Sequence, residues 1–285
     1  MTIDGETRIT GLIGDPVAHL RSPAILNTAY REAGLNWLYA AFPVPRGRGG
    51  DAVRGALALR FAGLTVTMPH KADAAGACDE LTPDAIALGA INVVTITDDG
   101  RLLGSSSDGE GFLRSVRDEG FDPAGTDVLV AGAGGAGRAI VLALGGAGAR
   151  VTVAARRLDA AESSAALVPG GRAVTLGNVD PGVYALVVNA TPLGMGGEPG
   201  AVPVERLNPG QLVVDTVYHP METPFLAAAR ARGIHAVNGL GMLVHQAALA
   251  FESWTGMDAP VAAMRAAAVE TAPPDAAPPD VGGLR

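Results

Sequence analysis

Asp127-Val128-Leu129-Val130-Ala131, followed at once by Gly132-Ala133-Gly134-Gly135-Ala136-Gly137 and then by Arg138-Ala139-Ile140-Val141-Leu142-Ala143-Leu144-Gly145, decides the fold of this chain. The first run is apolar almost throughout, as a strand covered on both faces requires. The glycines that follow stand at the first, third and sixth positions of a turn, and the helix reads from Arg138 to about Gly145. Without Cβ atoms the first glycine allows a tight turn, the second lets backbone N–H groups approach a pyrophosphate, and the third lets helix and strand pack closely. The same turn can also close a strand–helix corner with no ligand, so the flanking chain has to decide.

Downstream, the runs Val151 to Ala154, Ala185 to Asn189, Leu212 to Asp215 and His235 to Val237 alternate with helical stretches. That rhythm predicts a doubly wound, Rossmann-type parallel sheet. An acidic side chain at the end of the second strand would bind a ribose 2′-hydroxyl. Here the strand ends Ala154-Ala155-Arg156-Arg157, and two guanidiniums suit a 2′-phosphate instead. The expectation is therefore NADP rather than NAD, although both arginines could equally line a solvated loop.

Upstream, short apolar runs at Ile9 to Ile13, Trp37 to Phe42, Leu64 to Val66 and Ile91 to Thr97 alternate with helical stretches from Pro23 to Ala33 and from Asp51. Ser22 is expected as the cap of the first helix and Gly34 as its stop. Asp98-Asp99-Gly100 before Leu102-Leu103 has the composition of a hairpin turn, so this domain should be a mixed α/β sheet. Helices from Met242 to about Thr255 and from about Ala259 to Thr271 have no following strand and are expected to return to the first domain. The resulting division is 1–108 for a substrate-binding catalytic domain, 109–238 for the nucleotide domain, 239–271 for the returning helices and 272–285 for a disordered tail rich in proline.

Composition narrows the partners. With 285 residues, 21 Lys plus Arg against 29 Asp plus Glu and a net charge of −8, the chain lacks the basic footprint that nucleic acid demands. At 48% hydrophobic and 18% charged residues it is too apolar for intrinsic disorder. Cys78, the single cysteine, excludes an internal disulfide and favours a cytoplasmic compartment. Neither a secretory signal nor a membrane-spanning run is legible. His70 is expected to pack and His19 to order its loop, while His219, His235 and His245 share no ligand spacing and Cys78 has no second cysteine, so no metal site is expected.

The chemistry-bearing residues lie in the first domain. Thr65-Val66-Thr67-Met68-Pro69-His70-Lys71 ends a strand and presents an amine, and Asp108 stands in Ser105-Ser106-Ser107-Asp108-Gly109. If the two meet, partial burial disfavours the ammonium while the carboxylate favours it, which makes a proton-handling pair. A surface ion pair is the competing reading of the same residues.

Those stretches, with Gly14-Asp15-Pro16-Val17-Ala18-His19, Ser22-Pro23, Gly89-Ala90-Ile91-Asn92, Asn189-Ala190-Thr191-Pro192-Leu193-Gly194-Met195, Thr223-Pro224-Phe225 and Gly239-Leu240-Gly241-Met242-Leu243-Val244-His245-Gln246, together resemble the shikimate dehydrogenase family from roughly Ile9 to Glu270. The resemblance implies an NADP-dependent oxidoreductase of aromatic amino acid (chorismate) biosynthesis, transferring hydride between the nicotinamide and a ring hydroxyl of shikimate, a cyclic polyol carboxylate. A quinate or other shikimate-like dehydrogenase is one alternative, and a non-catalytic ligand-sensing module on the same fold is another. It further implies Lys71 and Asp108 as the catalytic pair, and Thr67, Asn92 and Gln246 on the ring hydroxyls. Ser22 would hold the carboxylate, and Tyr218 would close over the substrate. Gly132, Gly134, Gly135 and Ala136 would cradle the pyrophosphate, Arg156 and Arg157 would take the 2′-phosphate, and Asn189, Ala190, Thr191 and Met242 would line the nicotinamide side.

A monomer or homodimer is expected. The chain departs from the family pattern at Leu20, where a first serine is usual, and at Thr65, Val93 and Ser106-Ser107. Leu20 removes one carboxylate hydrogen bond, so weak turnover of shikimate and a substrate altered near C1 are expected.

Overall fold

The computed structural model describes residues 3–18 and 20–270. The elements run β1 (Arg8–Gly14), α1 (Ser22–Glu32), β2 (Trp37–Pro43), α2 (Gly49–Ala58), β3 (Gly63–Val66), α3 (Lys71–Ala75), β4 (Glu80–Leu81), α4 (Pro83–Leu88), β5 (Val93–Ile96), β6 (Leu102–Ser105) and α5 (Asp108–Asp118). They continue with β7 (Asp127–Ala131), α6 (Gly135–Gly146), β8 (Arg150–Ala155), α7 (Leu158–Ala165), β9 (Arg172–Thr175), β10 (Leu186–Asn189), β11 (Leu212–Asp215), α8 (Pro224–Ala231), β12 (His235–Asn238), α9 (Leu240–Thr255) and α10 (Val261–Glu270). Two compact units result. Among the described residues the first comprises 3–119 with 241–270, and the second 120–240.

The first unit is built on a six-stranded sheet in the order β2-β1-β3-β5-β6-β4. β1 pairs in parallel with β2 and β3, while β3 with β5 and β5 with β6 are antiparallel. The expected hairpin is present: Ile96 faces Leu102 in the register, and Gly100 turns the chain at φ +80°. Ile13, Val53, Leu64, Val66, Ile91 and Val94 form one buried cluster around this sheet. Tyr30 of α1 stacks on Phe251 of α9 with ring centroids 5.7 Å apart, and Arg21 donates to the Ala268 carbonyl of α10 at 3.0 Å. These contacts tie the two C-terminal helices into the first unit.

The second unit carries six parallel strands in the order β12-β11-β10-β7-β8-β9. The order reverses between β7 and β10, which are hydrogen-bonded neighbours with Ala131 opposite Asn189. In a doubly wound sheet the ligand crevice lies beyond the carboxyl ends of the strands at such a switch point. Leu129, Val187, Val213, Phe225 and Leu226 fill the core beneath.

Several local readings change. The first helix begins at Ser22, so Arg21 rather than Ser22 occupies the cap, and no side chain bonds there. α6 starts at Gly135, a turn ahead of Arg138, because the first helical turn uses the glycines themselves. β9 and the two-residue β4 carry too few apolar residues for sequence reading to find them; each is an edge strand recruited by a neighbour's backbone. The proline-rich tail and His19 lie outside the described residues.

Candidate active site

α3 opens with Lys71 after the short turn that follows β3, and α5 opens with Asp108, separated from the end of β6 by Ser106 and Ser107. Because β3, β5 and β6 are adjacent strands, the two helix starts fall together. Lys71 Nζ donates to Asp108 Oδ2 at 2.5 Å, with 25% of the lysine side chain and 8% of the aspartate side chain exposed. That exposure separates the pair from the solvated surface ion pairs, whose contribution is small.

The second oxygen of Asp108 is held too. Asn92, 5% exposed, donates from Nδ2 to Asp108 Oδ1 at 2.8 Å, and the same amide reaches Ser107 Oγ at 3.0 Å and Gln246 Oε1 at 3.3 Å. Ser107 N donates to Asn92 Oδ1 at 2.7 Å, which fixes which end of the amide faces the aspartate. Ser107 Oγ also donates to the Gln246 backbone carbonyl at 3.2 Å. Gly111 permits this approach of α5 to α9: a Cβ there would stand 2.8 Å from Gln246 N. Lys71, Asn92, Asp108 and Gln246 are thus one hydrogen-bonded cluster, and Ser107 orients it. The sequence shows Ser107 only as a departure from the family pattern; the signal for its role is that it immediately precedes Asp108 at the start of α5.

Thr67 follows β3 half-buried, and His70 N bonds its carbonyl at 3.0 Å. His70 is fully buried and donates from Nε2 to the Val44 carbonyl at 2.7 Å, so the ring anchors the turn before Lys71. Leu20 and Ser22 are half-buried in the turn and first residue of α1. His245 is buried and donates to Asp118 Oδ2 at 2.8 Å. Met242, 8% exposed, lies in α9 of the same unit. Among the described residues no group of three or more His, Cys, Asp or Glu is disposed to hold a metal ion, and no helix is long and apolar enough to cross a membrane.

In the second unit the glycine turn fits a dinucleotide. Gly132 sits at φ +124°, where a Cβ would lie 2.5 Å from the Ala190 carbonyl oxygen, and a Cβ on Gly137 would lie 2.2 Å from the Gly132 oxygen. Gly134 and Gly135 are exposed, with open space where their Cβ atoms would be. No acidic residue stands in the first turn of α6 and no side chain caps it, so its N–H groups and dipole are offered to an anion. Ala136 is half-buried in that turn.

Arg156 and Arg157 are exposed beyond β8, Arg157 Nε being 3.5 Å from Asp159 Oδ1. Across the switch point Asn189 is buried and its Oδ1 accepts from Thr191 N at 3.2 Å and Thr191 Oγ1 at 2.6 Å. Ala190 N bonds the Ala131 carbonyl at 2.7 Å. Tyr218 is half-buried after β11.

Known proteins agree with this layout. Residues 12–94 match the shikimate dehydrogenase substrate binding domain, and residues 239–269 match the shikimate 5'-dehydrogenase C-terminal domain. A shikimate dehydrogenase (NADP(+)) of Methanopyrus kandleri is 44% identical over 284 residues, covering 95% of this chain and 98% of that protein. A crystal structure of shikimate dehydrogenase in complex with NADP+ superposes with a TM-score of 0.90 at 33% identity, covering 96% of this chain and 98% of the other. Shikimate 5-dehydrogenase from Thermus thermophilus, in complex with NADP(H) and shikimate, gives 0.86 at 36% identity over 93% of this chain and 99% of that one. The chain belongs to the shikimate dehydrogenase family.

Proposed function

We propose that this protein is an NADP-dependent shikimate dehydrogenase, an oxidoreductase acting on the CH–OH group of a cyclic polyol carboxylate, working in the cytoplasm. The observation that carries the reading is the Lys71–Asp108 pair, bonded at 2.5 Å and braced by Asn92. The curated relative and the two structures above carry the shikimate name, which favours shikimate over quinate and a working enzyme over a ligand sensor. When bound, the nicotinamide supplies the hydride acceptor.

Everything else falls to the chain. Oxidation breaks the carbinol C–H bond, whose electron pair leaves as hydride, and the O–H bond, whose proton is released. Lys71 Nζ takes that hydroxyl proton when it stands as the neutral amine, Asp108 Oδ2 stabilises the ammonium that results, and the ammonium passes the proton to solvent before the next turnover. Reduction runs the same transfers backward. Asn92 keeps Asp108 Oδ1 occupied, so that Oδ2 stays turned to the lysine. Thr67, Asn92 and Gln246 hold ring hydroxyls, Ser22 holds the carboxylate and Tyr218 closes on the substrate. The glycine turn and α6 hold the pyrophosphate, Arg156 and Arg157 the 2′-phosphate, and Asn189, Ala190, Thr191 and Met242 the nicotinamide side. We assign substrate binding and catalysis to 3–119 with 241–270 and nucleotide binding to 120–240.

Lys71→Ala tests the reading. Acid–base help is worth ~10²–10⁴ in rate, so shikimate oxidation should fall by at least about a hundredfold while NADPH binding, followed by its fluorescence, stays at the parent value. Retention of more than about a tenth of the activity removes Lys71 from the proton transfer.

A further inference from the structure

Asp215 closes β11 with 0% of its surface exposed. Its bonded partners are neutral. Asn189 Nδ2 donates to Oδ1 at 2.9 Å, Val217 N donates to Oδ1 at 3.1 Å, and Thr223 Oγ1 donates to Oδ2 at 2.7 Å. Burial raises its carboxyl above the ordinary carboxylate range, against the pull of those hydrogen bonds. Removing a carboxylate from water without a cation beside it costs several kcal/mol, so a residue of this kind is expected only where its acceptors do something a neutral side chain cannot. Two oxygens offer about four lone-pair sites, and here they gather donors from three separate segments.

The segments are informative. Asn189 ends β10, and its own Oδ1 holds Thr191, while its Nδ2 also reaches the Leu193 carbonyl at 3.0 Å. Val217 immediately precedes Tyr218. Thr223 caps α8, accepting from Leu226 N at 3.3 Å. One buried carboxylate therefore fastens the turn after β10, the segment after β11 and the start of α8 to each other.

We propose that Asp215 is a positioning residue that sets the Asn189–Thr191 turn and the Val217–Tyr218 segment in a single frame, so that the cofactor-facing and substrate-facing groups of the second unit are placed together. This rests on the assignment above of Thr191 to the nicotinamide side and Tyr218 to the substrate. A carboxamide at 215 can keep its one acceptor oxygen on Asn189 Nδ2 and Val217 N, but it presents an NH2 group where Thr223 Oγ1 donates and lacks the negative charge that strengthens the other two bonds. Asparagine should therefore be a partial substitute and alanine none.

The test is kinetic and uses the full chain. Asp215→Ala should raise KM for both NADP and shikimate by about tenfold, the scale of one charge-assisted hydrogen bond, and weaken NADPH binding in parallel. Asp215→Asn should recover part of the loss, staying about threefold above the parent. In a double-mutant cycle, Thr191→Val and Tyr218→Phe should each cost less in the Asp215→Ala background than in the parent, because the frame is already lost.

A purely structural role would lower the active fraction and the melting temperature while leaving both KM values where they were. KM values within about twofold of the parent, with additive cycles, overturn the proposal. If Asp215→Ala does not fold, Asp215→Asn carries the test, and unchanged KM values there overturn it equally. Should Thr191→Val and Tyr218→Phe alone leave both KM values untouched, the assignment of those residues fails and takes the proposal with it. If those two variants act and Asp215→Ala does not, only the proposal fails.

Discussion

Asp108 and Asp215 are built alike in part, although Asp215 Oδ1 also accepts from Val217 N. Each stands at or just beyond a strand end, and each takes an asparagine amide on Oδ1, Asn92 at 2.8 Å and Asn189 at 2.9 Å. They part at Oδ2, where Asp108 meets the Lys71 ammonium at 2.5 Å and Asp215 meets the Thr223 hydroxyl at 2.7 Å. A cation can exchange a proton with whatever lies beyond it, and its attraction offsets part of the cost of burying the carboxylate. A hydroxyl on a helix cap has no such second role and leaves the carboxylate as a fixed anchor. A similar local construction thus leaves one carboxylate beside a cation and the other beside a hydroxyl, the contrast on which the proposed reactive and framing roles rest.

The comparison breaks most sharply when those two neighbours are removed. Lys71→Ala should cost at least about a hundredfold in kcat, whereas Thr223→Val should leave kcat within about threefold and lower stability by about 2–4 kcal/mol through the lost cap of α8 and the lost hydrogen bond to the buried Asp215 carboxylate. Urea unfolding and steady-state rates on both variants check this; a Thr223→Val enzyme as slow as Lys71→Ala would end the distinction.

A smaller effect is expected at Leu20, which occupies the turn before α1 in the first unit. Restoring a hydroxyl with Leu20→Ser supplies a donor for the substrate carboxylate, a bond worth at most about 1.5–3 kcal/mol. KM for shikimate should drop several-fold with kcat little changed. An unchanged KM would show that Leu20 does not face the carboxylate.

The smallest effect is a pH dependence confined to Asp215. Its native carboxyl titrates above its ordinary value of 3.8, so the folded state binds the proton more tightly than the unfolded chain. Its contribution to stability therefore declines as pH rises from about 4 through the raised native value, and stays at its least favourable above that. Asp215→Asn lacks this titration. The stability of that variant relative to the parent should climb with pH across the window, and parallel curves from urea unfolding at a series of pH values would contradict it.

Much of this was legible in the residues themselves. Gly132 and Gly137 shape the nucleotide turn because a Cβ there would stand 2.5 and 2.2 Å from backbone oxygens, and that requirement is written in residue type. Lys71, Asp108, Asn92 and Gln246 are named as a set by the family resemblance, whose motifs are local stretches of sequence. The edge strand β9 escaped notice, since Arg172-Ala173-Val174-Thr175 has no apolar run and becomes a strand only by bonding to β8. The cap of α1 shifted to Arg21 for a related reason: helix starts depend on backbone geometry that several polar residues can satisfy.

By itself, then, the sequence determined the two α/β sheets and the glycine cradle, since each depends on periodicity or on a side chain's absence, while the family resemblance pointed to Lys71 and Asp108 as the reacting pair. Only the tertiary structure decided that Ser107 orients the Asn92 amide and that Asp215 binds three segments with no cation beside it. Those roles depend on which donors lie within hydrogen-bonding distance of one oxygen. Residues 15 and 26 positions apart in the chain reach that distance only after strands have paired.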